Sequence, residues 1–480
     1  MRICFSLILI MNIFTSVAIY AQHDHHGHKT ASDTSNKNPK KVLNKKDTLP
    51  HRHAKQRNHE KIADTDKHDH GAMNMSHAFS KNLPMTRNGS GTAWLPDSSP
   101  MYAYMFHTPK WMYMLHGNVF LRYNNQDLFK NGSRGGDKID LPNMWMFMGQ
   151  RQVGKNGLFH FSSMLSLDPI TVGESGYPLL FQTGETYNGK PLIDRQHPHD
   201  LFSELSVSYA QALSPKSDIF IYIGYPGEPA LGPVAFVHRP SGFFNPDAPL
   251  THHWVDATHI TFGVATVGYR FNKWKIEGSS FTGREPDENR YNFDKPRFDS
   301  WSGRLSYNPT SNWAFQVSRG FIRQPEPLHP DEDVDRTTFS AQYSKNHHNN
   351  SSTNITALWG MNKTKGHDGE NGILLEGSHL IKGMAIYGRY EWVQKSAEEL
   401  ALTDGDWEHD AIFPVNAFTA GVSYDLFRFG STNVAVGSQV SFYKPDIRLA
   451  GIYGKTPMGG QIYLRLYPMR IQPTKRSFNK

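Results

Sequence analysis

Thiols are all but missing from this chain: its 480 residues hold one cysteine, Cys4. Arg2, a mostly apolar run over 3–19 and the small Ala21 read as an export signal covering 1–21, and Cys4 lies inside it, too early for a lipid-attachment site. The chain beyond has no disulfide, no cysteine nucleophile and no thiolate metal site. Long apolar runs are absent as well: none after the signal approaches the ~20 residues a spanning helix needs. No Lys/Arg run is interleaved with aromatics and the net charge is only +7, so no nucleic-acid partner is indicated.

What is present falls into parts. Residues 22–85 are rich in Lys, Asn, Asp, Ser and His and nearly lack large apolar side chains, which predicts disorder. Ten of the 25 histidines lie there. From about 112 the period becomes two: Trp301, Gly303, Leu305 and Tyr307 alternate with Ser302, Arg304, Ser306 and Asn308, and Trp274 and Ile276 with Lys273, Lys275 and Glu277. About sixteen such segments, within a range of 12–18, are joined by connections that alternate long and short. A soluble sandwich has no reason for that alternation, whereas a membrane barrel pairs short periplasmic turns with longer outer loops. The expected fold is therefore all-β: a transmembrane antiparallel β-barrel over 86–468 in the outer membrane of a Gram-negative bacterium, its apolar face on lipid. A basic tail follows at 469–480, and the N-terminal segment is expected in the periplasm.

Metal-ligand residue types concentrate in three places. The N-terminal tract carries His23, His25, His26, His28, His68, His70, Met73, Met75 and His77, and short His-rich tracts bind divalent metals through adjacent imidazoles. On the expected lumen face lie Met112, Met114 and His116, with His160, Met164 and His259 on later strands; Met144, Met146 and Met148 share a face whose direction is open. Thioether suits Cu(I) and imidazole suits Cu(II), Zn, Ni and Co. The third place is Asp194-Arg195-Gln196-His197-Pro198-His199-Asp200, at the end of a long outer loop. His197, His199 and Asp200 could form a metal site completed by His252, His253 or His259. Equally, Asp194 and Asp200 could pair with Arg195 and Arg239 as a structural knot. Ser203 beside His197 and His199 offers a weaker hydrolase reading: its parity puts it on the lipid face, and there is no Gly-x-Ser-x-Gly turn.

With its signal, its His/Met-rich lead-in at 23–28 and 68–77 and its thiol-free barrel, the layout resembles the copper-resistance outer-membrane protein B family. The 194–200 heptapeptide and residues 238–259 are similar to a family of uncharacterised outer-membrane barrels found in metal-resistance contexts. The resemblance implies binding of copper or another divalent transition metal, with efflux, sequestration or resistance as the outcome and periplasmic metal-handling proteins as partners. The alternative expectation is a porin-like or structural barrel with no metal role, its loops held by an Asp/Arg/His network.

Overall fold

The computed structural model describes residues 76–471, apart from 327–328, 403–406 and 408–410. The calls on His23, His25, His26, His28, His68, His70, Met73 and Met75 lie outside the described residues.

Sixteen antiparallel wall strands close into a barrel. They run Met112–Gln126, Asn143–Val153, Gly157–Leu165, Phe202–Ser214, Ser217–Gly224, Val264–Phe271, Trp274–Phe281, Ser300–Thr310, Trp313–Arg323, Asp333–Asn346, Ser352–Thr364, Glu370–Ile381, Met384–Ser396, Ile412–Phe429, Thr432–Pro445 and Met458–Pro468. Closure pairs the last with the first, in a register running from Gly459 opposite Gln126 to Leu466 opposite Val119. Two short strands extend existing columns: Gly136–Asp140 continues the second wall strand and Tyr104–His107 lies in line with the last.

The period-two pattern sets the faces. Val267, Ile276 and Trp301 are 61, 59 and 57% exposed on the outside, while neighbouring Thr266, Lys275 and Ser302 are buried within. So broad an apolar outer surface fits lipid, not water. Among the described residues no helix is long and apolar enough to cross a membrane; the strands do so.

The lumen is filled by the chain itself. Residues 76–103 enter first, where Ser80 Oγ donates to Asp218 Oδ2 at 2.7 Å. The hairpin Tyr177–Tyr187 with Lys190–Gln196 follows, carrying the fully buried Phe181 against Tyr443 and Tyr453. Residues 226–262, with the helical turn His252–Val255, complete the filling, and Trp254 packs with wall residues Leu358 and Leu374 in one apolar cluster.

Three expectations need correction. The segment expected to be disordered to 85 is ordered from Ser76, with strands Ser76–His77 and Ser80–Pro84, because the barrel interior supplies the apolar partners its own composition lacks. His77 accordingly belongs to the lumen filling rather than to a tail: it is buried against Phe79 and Trp94. His259, expected on a wall strand, sits instead in a 3-10 turn, Ala257–His259, of the inward segment, and the strand begins only at Val264. Finally, a register shift between Phe202 and Glu204 upsets the local alternation, so Ser203 is buried rather than lipid-facing, and its hydroxyl donates to the Asp200 carbonyl at 3.2 Å.

Candidate functional site: a histidine cluster and a thioether chamber

The heptapeptide meets the downstream histidines. Pro198 lacks an N–H and cannot extend a ladder, so the chain leaves the hairpin there and turns into the wall. The ring centroids of His197 lie 6.2 Å from His252 and 5.9 Å from His253; His199 and His259 are 5.6 Å apart, and His252 and His259 5.0 Å.

Four of the five rings are held by an acceptor. His252 Nδ1 lies 2.6 Å from Asp256 Oδ1, His199 Nδ1 3.0 Å from Asp168 Oδ2, and His259 Nδ1 2.9 Å from the Asp256 carbonyl. His197 Nε2 lies 3.1 Å from Glu185 Oε1. Anchoring one ring nitrogen fixes the orientation of the other, as in metal sites and in structural networks alike.

The charged partners differ from those expected. Asp194 takes the Phe181 N–H at 2.6 Å, Tyr453 Oη at 3.0 Å and Arg134 at 3.2 Å; Arg195 turns away to the Ser175 and Gly176 carbonyls. Asp200 faces Arg290 at 3.6 Å, and Arg290 also pairs with Glu185. Arg239 reaches Asp256 and Glu376, both at 2.7 Å.

Burial pushes the Asp200 carboxyl up to about 7, against the pull of Arg290. Burial also opposes ionisation of Asp256, but His252 and Arg239 outweigh it and hold that carboxyl below its usual range. His197, His253 and His259 are held well below the ordinary imidazole value, chiefly by burial, with neighbouring cations adding to it.

The cavity among these rings is about 10 Å³. That holds roughly one water or one ion, not an acyl chain. Asp200 is not drawn into a shared ligand set with the rings. Among the described residues, the group whose donor atoms lie within 4.8 Å of one another takes only His253 from this cluster, joining it to Glu285 and Glu326.

The methionine row forms a separate chamber. Met112, Met114, Met144, Met146, Met148 and Met164 are all buried on the lumen side, which settles the open face of the second strand: Phe147 points outward at 40% exposure. Cross-strand register sets Met114 opposite Met148 and Met146 opposite Met164. Met85, Met101 and Met105 pack onto them. A cavity of about 100 Å³ lies here, lined in part by Met114, Met146, His116 and His238. The two imidazole centroids are 5.6 Å apart, and His116 Nε2 has no hydrogen-bond partner among the described residues. Burial, followed by the field of His116, lowers His238 to about 3. His160 is not in this chamber; it lies against Phe79 at 6.3 Å.

Sequence reasoning missed Glu185, Glu285, Glu326, Arg290 and Asp168. They lie in three separate long connections, where charged residues have no periodicity to mark them. His238 stands at the head of the 238–259 segment, and no sequence spacing links it to His116.

No family model matches the chain, and no curated protein matches it. Among solved structures the barrel is similar to an anion-selective porin from Comamonas acidovorans, at 12% identity over 75% of this chain and 100% of that one, TM-score 0.46. It is similar to OmpF of Salmonella typhi in complex with daunomycin, at 9% identity over 75% and 100%, TM-score 0.46. It is also similar to OprB of Pseudomonas putida at high pH, at 10% identity over 74% and 94%, TM-score 0.43.

Proposed function

We propose that the chain is a porin-like barrel of a Gram-negative outer membrane whose passage is narrowed by its own loops and held narrow by an Asp/Arg/His network. The observation that carries this reading is the set of buried ion pairs fastening residues 226–262 to the wall. Arg239 bridges Asp256 of that segment and Glu376 of the wall, and Arg122 of the wall bridges Asp247 and Asp140 at 2.6 and 2.7 Å. Sixteen strands enclose an aqueous channel when their loops stay clear of it. Here cavities of about 100 and 70 Å³ lie between plug and wall and one of about 10 Å³ lies within the plug, a scale suited to ions and small polar solutes.

The reading is tested in planar bilayers by comparing the wild type with a variant in which 233–248 is replaced by a short Gly/Ser linker. Small conductance steps are expected from the wild type and steps several-fold larger from the variant. A wild-type current already as large as the variant's would sink the idea.

A second reading is favoured by the thioether chamber: binding and passage of a soft metal ion, copper above all. Nine methionines cluster there, six of them lining the cavity beside His116 and His238, and thioether with imidazole is the donor set available to a thiol-free chain that handles Cu(I). Under this reading the N-terminal tract captures ions in the periplasm, received from metal-handling proteins there, and the barrel contributes to efflux or sequestration. Met114→Leu with Met146→Leu and His116→Ala preserves most of the packing volume and removes three donors. Copper bound per protein and cellular copper tolerance should both fall; if neither changes, the chamber is packing.

A further inference from the structure

We propose that His253, Glu285 and Glu326 form a site for one divalent first-row ion of the zinc or cobalt(II) kind, held between three loops at the lumen mouth. The three come from residues 226–262, 282–299 and 324–332, and no sequence spacing relates them. Their donor atoms lie within 4.8 Å of one another. Ligands about 2.0–2.2 Å from an ion stand roughly 3–4 Å apart, so rotamer-scale movements of two carboxylates close the site.

Two unpartnered atoms point to a missing occupant. His253 Nε2 and Glu285 Oε2 are buried and have no hydrogen-bond partner among the described residues; His253 is 8% and Glu285 6% exposed. Buried polar atoms left this way are costly and uncommon. A cation satisfies both, and it relieves the repulsion of two carboxylates held together in a dry place.

The imidazole is held in position from behind. Gly184, at a φ of +104°, lies under the ring: a Cβ there would stand 2.2 Å from Cε1 and 2.6 Å from Nε2. The His253 carbonyl accepts from Arg336 Nη2 at 2.8 Å and from Asn362 Nδ2 at 3.0 Å. Arg336 also gives its Nε to Asn362 at 2.8 Å. Glycine, arginine and asparagine thus fix the backbone and ring of the one nitrogen ligand.

The donor set selects the ion. One imidazole and two carboxylates suit zinc, cobalt(II), iron(II) or manganese(II), whereas a soft monovalent ion favours the thioether chamber. The adjoining cavity, lined in part by His253 and Glu285, has room for one ion and no organic cation. The competing occupant is a proton: burial, with the field of Glu326 adding to it, keeps the Glu285 carboxyl well above its usual range, and burial takes Glu326 to about 7. The site stands independently of the passage proposed above, since a conductance result leaves it untouched.

The probe is Co(II), titrated at pH 8 into the full chain refolded in detergent, with the d–d absorption read alongside stoichiometry. Glu285→Gln/Glu326→Gln keeps the shape and removes the charge. Its folding is checked by heat-modifiable migration, a readout separate from metal. The wild type should bind one more equivalent than the variant, with an added d–d band, and Zn(II) should displace it and raise the unfolding midpoint of the wild type alone. Equal stoichiometry and equal spectra in the two proteins would falsify the site, leaving a shared proton as its occupant. If the double variant does not fold, His253→Gln and Glu326→Gln carry the test singly. Each should weaken the extra equivalent by at least about tenfold, the scale at which metal sites respond to lost support; unchanged affinity in both overturns the proposal.

Discussion

Arg239→Ala is expected to destabilise the barrel by about 3–5 kcal/mol, the scale for removing one partner of a buried ion pair, and to release the inward segment. Arg239 is fully buried and ties Asp256, on the loop, to Glu376, on the wall strand Glu370–Ile381. Its loss leaves two carboxylates desolvated in a lumen that offers little water. Each retains partners: His252 Nδ1 at 2.6 Å and the Phe236 N–H at 2.9 Å for Asp256, Arg389 at 3.2 Å and the Ser241 hydroxyl at 2.9 Å for Glu376. Those partners are why the expected loss is bounded rather than the full cost of two unpaired charges. Neither retained ion pair replaces the charged link from loop to wall, because His252 and Asp256 both belong to the loop while Arg389 and Glu376 both belong to the wall; the Arg122–Asp247 pair and the Ser241 hydroxyl on Glu376 are among the links that remain. Arg239→Lys should recover less than half of the stability: an ammonium is a point donor and cannot span two carboxylates as a planar guanidinium does. The measurements are the denaturant midpoint of the refolded protein and its single-channel conductance. Stability within about 1 kcal/mol of wild type, with unchanged conductance, would show that the ion pair does not fasten the loop.

The wall was legible in the sequence because it repeats. Trp301, Gly303, Leu305 and Tyr307 set against Ser302, Arg304 and Ser306 state which way each residue points, and sixteen segments of that kind place the strands. The exceptions mark where the chain breaks the period for a local reason. Ser203 is turned inward by a register shift that alternation cannot reveal, and His259 was assigned to a strand because Ile260 and Phe262 continue an apolar alternation inside what is a loop packed in the lumen. The site was half legible. Local density drew attention to His197, His199, His252, His253 and His259. Their carboxylate partners Glu185, Glu285 and Glu326 lie in separate connections and converge only when the barrel closes. A pairing such as Arg290 with Glu185, 105 residues apart, is a product of topology and leaves no spacing to read.

Gly360→Val should lower stability by about 1–3 kcal/mol, the range for overpacking a well-filled core. Gly360 and Gly372 are direct partners on adjacent strands, and together they open a flat window in the inner wall. The helical turn His252–Val255 rests in it. A Cβ at Gly360 would stand 2.3 Å from the Trp254 carbonyl oxygen and 2.6 Å from Val255 Cγ1. The first of these is backbone and cannot rotate aside, so the whole turn must lift. Trp254 is 1% exposed and stacks over the Lys395 ammonium at 4.5 Å, so lifting it separates a cation–π pair as well. The adjoining His253 moves with it, away from the Arg336 and Asn362 donors that hold its carbonyl. Gly372→Ala is the matched control. The nearest atoms to its Cβ belong to the Trp254 side chain, at 3.1 to 3.3 Å, a milder contact that a shift of a few tenths of an ångström relieves. The order expected in denaturant unfolding is therefore wild type, then Gly372→Ala close behind, then Gly360→Val well below. Loss of the extra cobalt(II) equivalent should accompany Gly360→Val alone. Equal midpoints for the two variants would mean that the turn is not seated on the wall at Gly360, and that the histidine cluster takes its position from the loops themselves.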